Sequence, residues 1–234
     1  MKILGLIGGT SWVSTVEYYS KINHIVNQRL GGLNSAECLV YSLNLQKVKD
    51  FNDSGNWDAT AQMIINAARK LESSGAKAIL LCANTLHHVA DQVQAQLTIP
   101  ILHIAEVTAK VIHAQGLSKV GLLGTKFTME YDFFKDKLRA KGIETIIPSE
   151  EDRQFIHHSI FEELGKGIFT DDTKSQYLSI VQKLEAAGAQ GIIAGCSEIP
   201  LLIGSSDIAL PYLDTTEIHC NSAIDFIFGC TYSN

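Results

Sequence analysis

No stretch of the 234 residues holds 18 uninterrupted apolar positions, so no membrane span is expected. Positive charge is in deficit. The 19 Lys and Arg stand against 25 Asp and Glu, a formal charge of −6, which argues against a nucleic-acid partner gripped by a basic face. The opening MKILGLIGGTSW reaches Gly8-Gly9-Thr10 too soon for the apolar core of a signal peptide, so no export signal is expected. Five cysteines, an odd number without such a signal, read as reduced thiols of a cytoplasmic protein. The dinucleotide fingerprint G-x-G-x-x-G is missing from the first glycine turn, and no G-K-[ST] occurs anywhere, which excludes the usual cradles for nucleotide phosphates. A metal site is not expected either: His87-His88 and His157-His158 are adjacent pairs that point to different sides of a helix, and with Cys82 they make no zinc spacing. His103 and His219 read as packing or surface residues.

With 46% apolar and 19% charged residues the chain has a globular composition, and its length suits one or two domains. Strand and helix patterns alternate. Lys2–Gly8 is a short apolar run ending in glycine, the mark of a strand buried on both faces. A helix follows over Ser14–Leu30, with Ser14 and Glu17 as a capping box and Val16, Tyr19, Ile22 and Val26 as its inner face. Further strands are expected at 37–43, 77–82, 101–104, 119–124, 143–147, 190–194 and 212–213. Helices are expected over 58–73, 86–96, 105–115, 128–141, 151–165, 172–187 and 216–228. The polar stretch Gln46–Trp57 reads as a loop. The fold class is α/β with parallel sheets flanked by helices.

The chain also repeats itself. Gly75-Ala-Lys-Ala-Ile-Leu-Leu-Cys-Ala-Asn-Thr85 aligns without a gap on Gly188-Ala-Gln-Gly-Ile-Ile-Ala-Gly-Cys-Ser-Glu198. Lys2–Thr10 is echoed by Lys119–Thr125, and Ile99-Pro-Ile-Leu-His103 by Leu210-Pro-Tyr-Leu-Asp214, in the same order. Two pseudo-symmetric domains follow, 1–100 with 212–234 and 101–211, with a site in the cleft between them.

In open parallel sheets ligands bind beyond the carboxyl ends of the strands, where the small polar clusters fall: Thr10-Ser11, Asn84-Thr85, Thr125 with Thr128, and Cys196-Ser197-Glu198. Singly, such residues cap helices. As a set at repeated places they suit a carboxylate held by hydroxyls, amides and helix starts. Cys196 is either a small buried hydrophobe or a thiol whose pKa a helix N-terminus lowers.

These motifs together resemble the aspartate/glutamate racemase superfamily of cofactor-independent amino-acid racemases. The resemblance is carried by GLIGGTSWVSTVEYY, Asn84-Thr85-Leu86-His87, LLGTKFTME and GCSEIPLL, and it spans the whole chain. It implies two α/β domains, a homodimer, no pyridoxal phosphate, a small amino-acid substrate, and two acid/base residues on opposite faces of Cα. Cys196 matches one of them, with Glu198 tuning it and Thr10, Ser11, Asn84, Thr85, Thr125, Thr128 and Ser197 holding the substrate. The other base would stand immediately before Asn-Thr, where this chain has Ala83. Cys82 is one residue early, and alternation along a strand turns it to the other face unless the strand bends. Ala83 is either natural to this branch or an introduced substitution. For the side-chain carboxylate the loop 44–57 offers no arginine, only the neutral Asn52 and Gln46, and Lys166 precedes a glycine as the family lysine does. The alternatives are a one-cysteine decarboxylase or isomerase of a dicarboxylate, and a catalytically silent amino-acid-binding protein.

Overall fold

The computed structural model describes residues 1–229. The chain divides into two units, Met1–His103 with the segment from His219 onward, and Ile104–Ile218. In the first unit β1 (Leu4–Gly8), α1 (Trp12–Leu30), β2 (Cys38–Ser42), α2 (Leu45–Asp53), α3 (Trp57–Ser73) and β3 (Ala78–Leu81) lead to a 3-10 turn at Thr85–Val89 and α4 (Ala90–Gln94). The second contains α5 (Ile104–Ala114), β4 (Lys119–Gly124), α6 (Lys126–Glu130), α7 (Asp132–Arg139), β5 (Glu144–Ile146) and α8 (Glu150–Glu162). After a 3-10 turn at Leu164–Lys166 it continues through α9 (Asp171–Ala186), β6 (Ile192–Gly195), α10 (Ile199–Leu202) and β7 (Tyr212–Asp214); α11 (Thr215–Phe228) begins here and carries the chain back.

Both sheets are parallel, ordered β2-β1-β3 and β5-β4-β6-β7. The repeat in the sequence is a repeat in the ladders. Ile79 N–H donates to Pro100 O and the matching Ile192 N–H to Pro211 O, each at 2.9 Å. Gly5 and Gly121, in the central strands, let neighbours close in: a Cβ at Gly5 would stand 2.7 Å from Ile79 Cδ1, and one at Gly121 2.9 Å from Ile192 Cδ1. Strands β1, β3, β4 and β6 are buried on both faces, which is why they read as apolar runs, while β2 and β5 at the sheet edges are half-exposed. Leu4, Leu6, Leu80 and Cys82 pack on α1 and α11, while Ile7, Ile79 and Leu81 pack on α3. In the second unit Val120, Leu122 and Ile193 face α5 and α7, and Leu123, Ile192 and Ala194 face α8 and α9.

Several elements differ from their sequence patterns. The polar stretch 46–57 is mostly helix α2, because Asn44 Oδ1 caps it at Gln46 N (2.9 Å) and Val48 buries against the α3 side of the core. Helix α1 starts earlier: Ser11 caps it by accepting from Ser14 N at 3.3 Å, so Ser14 and Glu17 form no capping box. Its inner face is Thr15, Tyr18, Ile22 and Val26, leaving Val16 and Tyr19 exposed, because the Tyr18 hydroxyl finds an interior partner in His219. The pattern over 128–141 is two helices parted at Tyr131, whose ψ of 156° is extended. Ile101 makes only a single bridge to Ile79, and Ile104 already opens α5. The segment at 212 does not yet belong to the first unit: β7 pairs β6, and the return falls inside α11.

Candidate active site

The end of β3 settles which face each residue takes. Ile79 and Leu81 lie on the α3 side, and Ala83, partly buried, packs on the same cluster. Cys82 is fully buried on the opposite side, among Leu4, Leu6, Tyr18 and Ile224. Burial, then the nearby Cys38, pushes the Cys82 thiol well above its usual range. In the second unit Ile192, Ala194 and Cys196 share the α8–α9 side. Ala83 and Cys196 therefore occupy matching positions and matching faces, and strand alternation alone separates Cys82 from them.

At Cys196 the thiol donates to Glu198 Oε2 at 2.9 Å, and Ser197 Oγ donates to the same oxygen at 2.8 Å. Glu198 is buried and Cys196 partly so. Burial first, then the charge of Glu198 and its acceptance of the thiol proton, hold the Cys196 pKa well above the usual thiol range. The backbone N–H groups of Ser197 and Glu198 act the other way and are outweighed. This corrects the idea of a thiol lowered by a helix start: α10 is four residues long, too short to supply much dipole. Cys196 is thus a protonated thiol hydrogen-bonded to a buried carboxylate. Gly124 and Gly195 are partners in the β4–β6 ladder, so Thr125 and Cys196 leave adjacent strand ends.

The other polar residues divide. Thr125 caps α6 and Thr128 lies inside it, fully buried: Thr125 Oγ1 accepts from Thr128 N at 3.4 Å and lies 3.2 Å from Thr128 Oγ1. Asn84 is buried and its side chain makes no capping bond to the turn it starts. Thr10 Oγ1 is buried with no hydrogen-bond partner. Beside it Ser11 has φ 134°, a strained value for a residue with a side chain. Gly9 N–H donates to Thr15 Oγ1 at 2.8 Å, so the turn after β1 is fixed from inside α1. Asn52 lies within α2, its Oδ1 accepting from Thr60 Oγ1 at 2.8 Å. Gln46 is exposed and bonds Asp50, and the exposed Lys166 pairs with Glu162 at 2.6 Å. Thr85 begins the 3-10 turn, partly buried.

In the sequence His87 stands only as a rejected metal ligand and as the end of the Asn84–His87 motif, with no role assigned to it. It is 1% exposed, its Nδ1 lies 3.1 Å from Ala83 O, and its ring lies against those of His103 and His219. The available signal was its place four residues after Ala83, one helical turn on. Among the described residues no group of three or more His, Cys, Asp or Glu side chains is arranged to hold a metal ion. No described helix is long and apolar enough to cross a membrane.

The chain is thus built of parallel α/β units, a class in which small ligands bind beyond the carboxyl ends of the strands, where these polar residues stand. The chain belongs to the Asp/Glu/hydantoin racemase family, whose model matches residues 7–223. It is 23% identical over 225 residues to the broad specificity amino-acid racemase RacX of Bacillus subtilis, covering 95% of this chain and 96% of that one. Among solved structures, a candidate Asp/Glu racemase of Yersinia pestis is 46% identical with a TM-score of 0.92, covering 97% of this chain and 100% of that one. An aspartate racemase homologue of Pyrococcus horikoshii is 36% identical with a TM-score of 0.85, covering 97% and 99%.

Proposed function

We propose that this chain transfers the α-proton of an amino acid, aspartate or glutamate by preference, without pyridoxal phosphate, and that its second base is missing at Ala83. The observation that carries the reading is the Cys196–Glu198 pair at the position and face that Ala83 occupies in the other repeat. An α-proton is weakly acidic, so the site must stabilise a carbanion while a base removes the proton. Cys196 loses its proton to solvent, takes the α-proton as thiolate, and the thiol so formed returns a proton to the same face, while Glu198 orients Sγ through its hydrogen bond. Inversion needs a second group on the opposite face, and the methyl of Ala83 cannot supply it. Thr10, Ser11, Asn84, Thr85, Thr125, Thr128 and Ser197 bind the α-carboxylate and ammonium. Lys166 reads a side-chain carboxylate by leaving Glu162, an exposed pair of little strength. Asn52, whose Oδ1 is taken by Thr60, offers its amide nitrogen. The family resemblance also supports a cytoplasmic homodimer, which sedimentation at micromolar concentration tests.

The test is α-proton exchange in D₂O, followed by NMR on L- and D-aspartate and glutamate, with chirality read at the end. Exchange of one enantiomer without inversion is expected. Inversion would show that another group, Cys82 first, serves as the opposite base. A second reading is favoured by the same alanine: a one-cysteine decarboxylase or isomerase that protonates a dicarboxylate-derived carbanion from one face. Turnover of a substituted malonate with no amino-acid exchange would select it. A ligand-induced rise in Tm without any turnover would select a binding protein.

A further inference from the structure

We propose that His87 is a positioning residue for the end of β3, holding position 83 and Asn84 where the ligand needs them. This rests on reading that strand end as part of the acid/base site. The backbone carbonyls there are held one after another. Cys82 O accepts from Ser14 Oγ at 2.9 Å, Ala83 O lies 3.1 Å from His87 Nδ1, and Asn84 O accepts from His87 N at 3.0 Å. One residue thus fixes two successive peptides on either side of the Asn84 side chain.

The imidazole can do this in one tautomer only. A carbonyl accepts, so Nδ1 carries the hydrogen, and Nε2, buried and without a hydrogen-bond partner, is the bare nitrogen. The ring is held by its neighbours, with centroids 4.8 Å from His103 and 5.6 Å from His219. His219 is itself pinned, its Nε2–H donating to Leu102 O at 2.6 Å while Nδ1 accepts from the Tyr18 hydroxyl at 2.9 Å. His103 and His219 are the residues at which the chain leaves and re-enters the first unit. His87 therefore ties the strand end to the two crossing points.

The fold alone does not require this bond. The repeat of the sequence puts Pro200 where His87 stands in the first unit, and the second unit builds its strand end without a histidine. There the Cys196 carbonyl is held at 3.2 Å by the N–H of Ile199. A device present at one strand end and absent at its twin belongs to what that end does.

The test compares His87→Asn with His87→Gln. An asparagine places its amide nitrogen where Nδ1 lies; a glutamine reaches the Nε2 position, too far round to meet Ala83 O. Backbone amide resonances of Ala83–Thr85 and affinity for L-aspartate are read in both variants. His87→Asn should leave both near the wild type. His87→Gln should move the 83–85 resonances and weaken L-aspartate about tenfold, the scale of one well-placed hydrogen bond, with Tm values of the two variants alike. Indistinguishable variants, or a better-binding glutamine, would overturn the proposal. If the wild type binds no amino acid, the racemase reading falls and the amide resonances decide the positioning role alone. Should neither variant fold, the ¹⁵N spectrum of the histidine-labelled wild type decides it: a protonated Nδ1 with bare Nε2 is required, and the reverse tautomer would refute it.

Discussion

At Cys196 the proton sits between a thiol and a carboxylate, and each depends on the other. Glu198 raises the thiol pKa by charge and by accepting its hydrogen, in addition to the effect of burial. Glu198→Gln should therefore lower the thiol pKa toward the ordinary range without restoring it. The pH at which iodoacetamide alkylation of Cys196 reaches half its maximum rate should move down. At position 83 the proposed reading has a simpler test. Ala83→Cys or Ala83→Thr should create or raise racemisation, and a folded variant that still gives no inversion would sink the missing-base account. Residue identity at these places was legible in the sequence, because the ungapped repeat pairs Ala83 with Cys196 and strand alternation sets aside Cys82. The electrostatic state of Cys196 was not. It depends on where the Glu198 carboxylate folds back, and no spacing encodes that. His87 was illegible for a related reason: it acts on a carbonyl, and carbonyls are the same in every residue.

Among the elements, the central strands carry glycines that admit no side chain without a shift. A Cβ at Gly5 would lie 2.7 Å from Ile79 Cδ1 and 3.2 Å from both Ala76 Cβ and Leu71 Cβ, which are fixed to the backbone. At Gly121 the closest atoms, Ile192 Cδ1 and Leu184 Cδ1 at 2.9 Å, are chain ends that can turn away. Overpacking costs about 1–3 kcal/mol. Gly5→Ala should fall at the upper end and Gly121→Ala at the lower, read from urea midpoints. Strands were the easiest elements to find, since burial on two faces leaves an unbroken apolar signature. Helix phase was harder. Tyr18 and Tyr19 are adjacent, and only the partner waiting at His219 decides which one turns inward. Helix α2 was hidden because Leu45, Val48 and Phe51 are its only apolar side chains and a short polar helix looks like a loop.

For the whole molecule, buried imidazoles set the acid limit. Burial, then the neighbouring His87, pushes His219 down to about 3, and burial with His103 beside it holds His87 well below the usual imidazole range. Both are neutral in the folded chain and free to protonate near 6.5 when unfolded. The unfolded state therefore binds more protons as pH falls below that value, and stability drops by about 1.4 kcal/mol per pH unit for each histidine. His103 and the Tyr18 hydroxyl face the same cluster and give a new cation no negative partner. Urea midpoints should fall steadily from pH 6.5 toward 4, and His219→Phe should make that fall shallower by about one histidine's share, about 1.4 kcal/mol per pH unit, whatever it does to stability at neutral pH. The two ladders built alike carry a consequence of another kind. A protein made twice from one plan holds a spare: one strand end can lose its reactive group, or gain a histidine brace, while its twin keeps both fold and thiol. Ala83 aligned with Cys196, and His87 aligned with Pro200, are where the two repeats differ while their ladders stay alike. In such a protein new chemistry is reached by editing one copy at a time.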